Sequence, residues 1–487
     1  MISEKFYIKN YINGELLEPV SEEYIDNYDP SKGEVYSYIP DSDCRDVDLA
    51  VWATKNAQEK WGNSSIEFRY NIIMKIVRLI EKNLDILAKA ESMDNGKPIS
   101  LAEKIDIPRA ASNFRFFATG IMHYASSSHQ MNGVGINYTL RQPIGTVGCI
   151  SPWNLPLYLF TWKIAPALAA GNCVIAKPSE VTPMTAYLLS KLCIEAGLPK
   201  GVLNIVHGLG HKVGSAITEN INIKAISFTG GTTTGQTIAR IAAPMFKKLS
   251  LELGGKNPNI IFADCDYDVM LETTVRSSFA NQGQICLCGS RIFVEKSIYD
   301  KFKKDFVERV KNLKVGIPSD DTTDIGAIVS KEHRDKILSY VELAKEEGGT
   351  VLCGGKEVRM SDLDYKNGYY LEPSVIEGLS YDCRTNQEEI FGPVVTITPF
   401  ESEEEVLMFA NSTRYGLSAT IWTSELNKAH RLAEKIHAGI VWINTWLLRD
   451  LRTPFGGVKD SGVGREGGFE ALNFFTEPKN VCIKYHK

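Results

Sequence analysis

The stretch from residue 145 to 255 constrains the fold more than any other. Short apolar runs alternate there with turns and helical periodicity. GTVGCISPWN precedes PLYLFTWKIAPALAAG, NCVIAKPSE precedes TPMTAYLLSKLCIEAG, and GVLNIVHG precedes a short helix near GSAITEN. IKAISFTGG then leads into TTTGQTIARIAAP, and KKLSLELGG closes the series. Apolar runs of four to six residues, each followed by a turn and a helix, specify a parallel sheet covered on both faces. Such a sheet takes its ligand at the carboxyl ends of its strands, so the stretch reads as a nucleotide-binding unit.

At 487 residues the chain is too long for a single core, and two or three domains are expected. Before residue 145 the pattern is helical after a short β start, with VDLAVWATKNAQEKWG, a long segment running from SSIEFRYN to a stop at Gly96 and Pro98, and IPRAASNFRFFATGIMHYA. A polar connection leads from there to GINYTLRQPIG, a hairpin strand. After LELGGKNPNIIF a second α/β unit begins, with a helix around 266–280, the strand SRIFVEK and the helix SIYDKFKKDFVERVKNLKVG. The tail ALNFFTEPKNVCIKYHK is strand-like without a partner near it in sequence. It and the 134–142 strand would each leave an open edge, a cue for pairing across subunits.

A net charge of −5 and the absence of a long basic run give no reason to expect nucleic acid or an anionic membrane as partner. The apolar runs fall far short of the roughly 18 residues of a membrane span. MISEKFYIKN carries charges where a secretion signal would be apolar, so a cytoplasmic location is expected. Ten scattered cysteines without C-x-x-C, and eight histidines that do not cluster, argue for reduced thiols and no metal.

Two glycine-rich turns invite a phosphate. GLGHKVG (208–214) has one residue too many for G-x-G-x-x-G, and no acidic residue closes the next strand, so it reads as a plain strand-to-helix turn. FTGGTTTG (228–235) is the stronger candidate: a strand ends in two glycines, threonines offer N-caps and a helix begins, presenting free N–H groups to an anion. In AKPSE (176–180), Glu180 could accept from two ribose hydroxyls with Lys177 beside it, and a carboxylate there would repel a 2′-phosphate, favouring NAD over NADP.

NQGQICLCGS (281–290) sets Cys286 and Cys288 on either side of one leucine, open to reading as a metal clip, a redox pair, or a nucleophile with a bystander. A nucleophilic thiol with an ordinary pKa of about 8.5 is only a few per cent thiolate at neutral pH. Backbone N–H groups of a Gly/Gln-rich loop could lower that value. Glu252, ending an apolar strand in LELGG, is a candidate general base whose burial raises its pKa, and Asn154 in SPWNLP could lend an N–H to an oxyanion.

SPWNLP, FTGGTTTG, LELGGKNP, GQICLCGSR, EEIFGPV, NSTRYGLSA and PFGGVKDSGVGREGG, in this order along essentially the whole chain, resemble the aldehyde dehydrogenase superfamily. The resemblance implies an α/β chain with a Rossmann-like NAD-binding domain (1–122 and 144–252), a second α/β catalytic domain (253–452) and a small β oligomerisation arm (123–143 and 468–487), assembled as a homodimer or homotetramer. It implies that Cys286 attacks the aldehyde to give a thiohemiacetal whose oxyanion sits between the Asn154 amide and the Cys286 N–H. Glu252 would activate the water that hydrolyses the thioester; relatives that acylate coenzyme A typically lack this base. NAD would be held by Lys177, Glu180, Gly231, Trp153, Glu389 and Phe391. Gly231 departs from the usual F-T-G-S motif, which removes a hydroxyl contact. Cys288 becomes a small wall residue of the substrate pocket, and no metal is expected.

Within that family, NTWLLRDLRTPFGG resembles the subgroup that oxidises 2-aminomuconate or 2-hydroxymuconate 6-semialdehyde. Arg109 and Arg449 would then clamp the substrate carboxylate, with Arg115 and Arg452 as substitutes and with Trp162 and Phe455 lining the site. Arg109 could instead pair with Asp106. The alternatives in the same family are betaine aldehyde, retinal or a general aliphatic or aromatic aldehyde as substrate.

Overall fold

The computed structural model describes residues 6–486. Residues 1–5 and Lys487, on which part of the N-terminal reading and the outer ends of the expected NAD-binding and arm segments fall, lie outside the described residues.

The rhythm of residues 145–255 folds as the centre of an eight-stranded sheet, in the order Gly462–Val463, Lys248–Glu252, Ala225–Thr229, Thr146–Ile150, Cys173–Lys177, Leu203–Ile205, Asn10–Ile12, Glu15–Leu17. The five central strands are parallel and the three outer ones antiparallel. Every residue of Thr146–Ile150 and Cys173–Lys177 is buried, as two covered faces require. Helix Pro156–Ala169 is buried along its whole length, because it is packed between this sheet and the helices Ile66–Lys82 and Ile107–Met122. Fully buried Phe114, Phe117 and Phe160 belong to the resulting core, each contributing about 1.5–3 kcal/mol relative to exposure.

The long helical segment after residue 64 is two helices. Asn83 ends Ile66–Lys82, its side chain donating to the Leu79 carbonyl, and a second helix, Leu84–Asn95, stops at left-handed Gly96. A side-chain amide that satisfies a terminal carbonyl competes with helix continuation, and apolar periodicity does not report it.

The second sheet has seven strands, in the order Thr350–Cys353, Ser374–Glu377, Val394–Phe400, Arg291–Glu295, Pro258–Ile261, Ser418–Trp422, Ile440–Ile443, parallel except for its first pair. A third, antiparallel sheet corrects the expected open edge of the 134–142 strand, which is its central strand, while the tail keeps one free side. Thr476–Lys484 pairs along its length with Gly135–Pro143, and Ser128–Met131 flanks the latter. The two segments complete each other within one chain, leaving free only the outer sides of Thr476–Lys484 and Ser128–Met131. Among the described residues no helix is long and apolar enough to cross a membrane.

Candidate active site

After helix Tyr267–Phe279 the chain takes three successive left-handed conformations, Asn281 (φ 53°), Gln282 (φ 56°) and Gly283 (φ 69°). For the two non-glycine residues this costs of order 1 kcal/mol each, so surrounding contacts must hold it. They do. Asn281 Nδ2 donates to the carbonyls of Asn154 (3.0 Å) and Gln284 (3.2 Å), and Gln282 Nε2 donates to Ala327 (2.8 Å). Asn257 Nδ2 then fixes the carbonyls of Cys286 (2.7 Å) and Cys288 (2.9 Å). The strained run delivers Cys286, half-buried, to the wall of a cavity of about 570 Å³. Among the described residues its backbone N–H has no hydrogen-bond partner.

Asn154, on the loop after strand Thr146–Ile150, is buried beside this turn; its Nδ2 donates one N–H to the Gln284 carbonyl at 2.9 Å and keeps a second. Both thiols are free, but only Cys286 lines the substrate-sized cavity. Cys288 does not line the substrate-sized cavity, which corrects its expected place there. It borders a small adjoining space lined also by Cys286, Glu389 and Phe391.

Glu252, ending strand Lys248–Glu252, also lines the cavity, and neither of its buried carboxylate oxygens has a partner. Burial, then the nearby Glu466 carboxylate, push its pKa well above the ordinary value, against the cations of Lys163, Arg465 and Arg449. Left-handed Gly456 (φ 152°) leaves room for it, since a Cβ there would stand 2.7 Å from Glu252 Oε1. Behind it runs a buried network: Lys163 Nζ bonds Glu466 Oε1 (2.7 Å) and Ser227 Oγ (3.1 Å). Sequence reading missed Lys163 and Glu466, which sit 303 residues apart with no motif of their own. It also anticipated a lowered thiol pKa at Cys286. The structure shows the reverse, because burial and then the carboxylates of Glu389 and Glu252 push the thiol up while Arg449 alone among the nearby charges opposes them.

At the other end of the cavity two guanidiniums stand without an acid. Arg109, in helix Ile107–Met122, has buried Nε and Nη2 with no partner and lies over the Tyr158 ring at 5.3 Å. Burial, and further the Arg449 cation, lower its pKa. Arg449 Nη1 donates to Tyr158 Oη (2.8 Å), and its guanidinium covers the rings of Phe455 (4.0 Å) and Trp162 (5.3 Å). Asp106 does not neutralise Arg109; it is taken by buried Lys97. The substitutes are excluded: Arg115 pairs with Glu81 and Arg452 with Asp450, both on the surface. Phe455 lines the cavity, whereas Trp162 stands behind Arg449 and does not, correcting its expected place. Tyr158 and the exposed Arg276, which also lines the cavity beside Trp446 (5.9 Å), were missed; neither carries a sequence signal beyond its helix. Leu155, Leu159, Ile285 and Leu287 make the walls between the two ends apolar.

The residues expected to hold NAD gather on the strand ends alongside. Lys177 Nζ pairs with Glu180 Oε2 (2.9 Å), and Glu180 Oε1 accepts from the Gly210 N–H (3.2 Å). The turn 208–214, read as a plain connection, therefore borders that pair. Helix Thr232–Ala242 is capped by Gly231 and not by a threonine: the threonines fill its first turn and no side chain caps it. A Cβ on Gly231 would meet nothing within 4 Å, so the N-terminus is open to a phosphate. Glu389 Oε1 accepts from the Gly255 N–H (2.8 Å), and a Cβ on Gly254 would collide with Glu389 Oε2 at 2.3 Å. Phe391 (φ 62°) packs against Trp153 (5.3 Å), with its carbonyl bonded to His333 Nε2 (2.7 Å). An open helix N-terminus, a lysine–glutamate shelf and a carboxylate near the thiol fit a dinucleotide laid from the sheet edge toward Cys286. Among the described residues no group of three or more His, Cys, Asp or Glu could hold a metal.

The family model described as "Aldehyde dehydrogenase family" matches residues 17–481. A "2-aminomuconic semialdehyde dehydrogenase" of Danio rerio is 51% identical over 481 residues, covering 98% of each chain. A "2-hydroxymuconic semialdehyde dehydrogenase" of Pseudomonas sp. (strain CF600) is 45% identical, covering 98% of this chain and 99% of its own. Among solved structures, the "NAD+ complex structure of aldehyde dehydrogenase from bacillus cereus" superposes with a TM-score of 0.96 at 38% identity, covering 100% of this chain and 98% of that one.

Proposed function

The chain belongs to the aldehyde dehydrogenase family, and we propose that it oxidises a carboxylated semialdehyde, 2-aminomuconate or 2-hydroxymuconate 6-semialdehyde, with NAD and water to the dicarboxylate. The observation that carries the substrate class is the pair Arg109 and Arg449, two guanidiniums that share a cavity with Cys286 and have no acidic partner. Unpaired buried N–H donors are costly until a ligand accepts from them, and a carboxylate does so bidentately. A neutral aldehyde such as betaine aldehyde or retinal would leave them unmet.

In this reading the substrate carboxylate docks on Arg109 and Arg449, and the apolar walls direct the far aldehyde to Cys286. The thiol is not a thiolate at rest, so its proton must leave as attack begins. That proton passes to solvent as the C–S bond forms, which leaves Glu252 available to the water of the second half-reaction. The resulting oxyanion accepts from the free N–H of Asn154 Nδ2 and from the Cys286 backbone N–H. Lys177, Glu180, the helix N-terminus at Gly231, Trp153, Glu389 and Phe391 would hold NAD. NAD bound there would supply the acceptor for the hydride of the thiohemiacetal carbon, so that a thioester would remain on Cys286. Glu252 then removes a proton from water, whose oxygen attacks the thioester carbonyl; the C–S bond breaks, the acid leaves and the thiol is restored.

The reading extends to assembly as a homo-oligomer through the free edges of the third sheet, to a cytoplasmic setting, and to the three-part division into 1–122 with 144–252, 253–452, and 123–143 with 468–487. The test of the substrate class is kcat/KM on a muconate semialdehyde beside betaine aldehyde and benzaldehyde. Arg449→Gln should lower the value for the carboxylated substrate about a hundredfold, the loss expected when one partner of a desolvated charge pair is removed. Neutral aldehydes should change by less than about threefold. An equal loss on all three, or a better neutral substrate, would overturn the assignment.

A further inference from the structure

Lys97 is a fully buried cation to which the mechanism above gives no task. Lys97 lies between Gly96 and Pro98, and its side chain has no exposure. Its Nζ pairs with Asp106, stands 3.7 Å from Glu91, and donates to the backbone carbonyl of Asn154 at 3.2 Å. That carbonyl also accepts from Asn281 Nδ2 (3.0 Å) and Asn95 Nδ2 (3.4 Å), and Asn95 holds the preceding Trp153 carbonyl as well (2.9 Å). Glu91 Oε2 accepts from the Leu157 N–H (3.2 Å) as helix Pro156–Ala169 begins. The segment 91–106 therefore grips the chain before, at and after Asn154.

A loop carbonyl could be satisfied by one neutral donor. Here it takes an ammonium with two carboxylates beside it, all removed from water, an arrangement whose desolvation commonly outweighs its Coulombic gain. Stability alone does not account for such a cluster. Its other contact supplies the reason. Asp106 is one turn before Arg109 and lines the same cavity, so the one ammonium touches both the element that carries the substrate anchor and the asparagine at the reacting end.

We propose that Lys97 is a positioning residue: it fixes the Asn154 backbone so that the second N–H of the amide meets the oxyanion on Cys286, and through Asp106 it sets that amide relative to Arg109. The inference rests on the reading of Asn154 as an oxyanion donor. A displacement of about 1 Å at such a donor costs up to about a hundredfold in rate.

The test is a mutant cycle on the full-length enzyme, comparing wild type, Lys97→Met with Asp106→Asn (one charge of each sign removed), Asn154→Ala, and all three changes together. NAD affinity and melting temperature are measured alongside. Lys97→Met/Asp106→Asn should lower kcat about tenfold or more with NAD affinity within about twofold of wild type. In the Asn154→Ala background the same changes should cost nothing further, a coupling that a role confined to general stability would not give. Lys97→Gln, which keeps a donor and most of the volume, is the second variant should the first not fold, and its loss should likewise vanish on Asn154→Ala. A kcat within twofold of wild type, or a loss that multiplies in full onto Asn154→Ala, overturns the proposal. If Asn154→Ala itself leaves kcat unchanged, the oxyanion reading falls first and this inference with it.

Discussion

The two ends of the cavity are built on opposite principles. At the thiol end the supporting amides are already engaged: Asn281, Asn257, Asn95 and Gln282 each donate to a backbone carbonyl of a neighbouring loop. At the arginine end, Arg109 keeps two N–H groups without an acceptor and Arg449 has only a tyrosine hydroxyl and aromatic faces. The scaffold of the first end is fixed before substrate arrives, with only its reacting groups left unpartnered, whereas the second end takes its acceptor from the substrate. Interactions made equally in ground and transition state lower KM, whereas preorganised groups aimed at developing charge raise kcat. Changes at the thiol end should therefore appear in kcat, and changes at the arginine end in the choice of substrate.

The largest effect expected is at the nucleophile. Cys286→Ala should remove aldehyde-dependent NADH formation by at least about 10⁴-fold, while NAD affinity measured by calorimetry stays near wild type. Residual turnover above one part in a hundred would return Cys288 to consideration and break the contrast between the two thiols.

Glu252→Gln comes next and sharpens the thiol end into two half-reactions. The thioester forms but is not hydrolysed, so rapid mixing should show a burst of NADH followed by turnover reduced about 10²- to 10⁴-fold. No burst and no trapped acyl-enzyme would deny Glu252 its part in hydrolysis. Because its folded-state pKa is raised, Glu252 holds its proton at pH values where an exposed carboxylate is ionised, and hydrolysis should rise with pH through that raised value. The same shift favours the folded state while the group is protonated, a contribution lost as pH rises through the folded pKa. Glu252→Gln should abolish this limb of the rate profile and melt no lower than wild type at alkaline pH.

The thiol end and the cofactor shelf were legible in the sequence for a physical reason. Glu252, Asn154, Glu180 and Gly231 sit at or just after the ends of apolar strands, and Cys286 in a Gly/Gln-rich turn before one, where local composition announces both the element and its end. The strand order was not legible, and neither was the pairing of Thr476–Lys484 with Gly135–Pro143, since a register between segments more than 300 residues apart leaves no local trace. Tyr158, Lys163 and Lys97 escaped for a related reason. Each lies within or beside a helix in company that reads as core, and its polar role arises only from partners on distant elements. The direction of the Cys286 shift was missed because backbone N–H groups can be counted in a loop, whereas burial and the approach of Glu389 and Glu252 cannot.

The smallest effect is expected at Arg276, and it tests whether the arginine end is a binding pair or a graded path. Arg276 lies in the last turn of helix Tyr267–Phe279, exposed, lining the same cavity as Arg109 and Arg449 and resting near the Trp446 ring. No ion pair engages it among the described residues. An exposed guanidinium interacts with an arriving carboxylate through water and salt, so its influence belongs to encounter more than to affinity. Arg276→Gln should lower kcat/KM for the carboxylated substrate about two- to fivefold at low ionic strength, with kcat unchanged. The deficit should fade as salt rises past about 0.15 M, where the screening length is about 8 Å. Neutral aldehydes should not respond. A loss that persists in high salt would move Arg276 inward to join Arg109 and Arg449 as a direct ligand; a loss in kcat would place it with the thiol end and erase the division between the two.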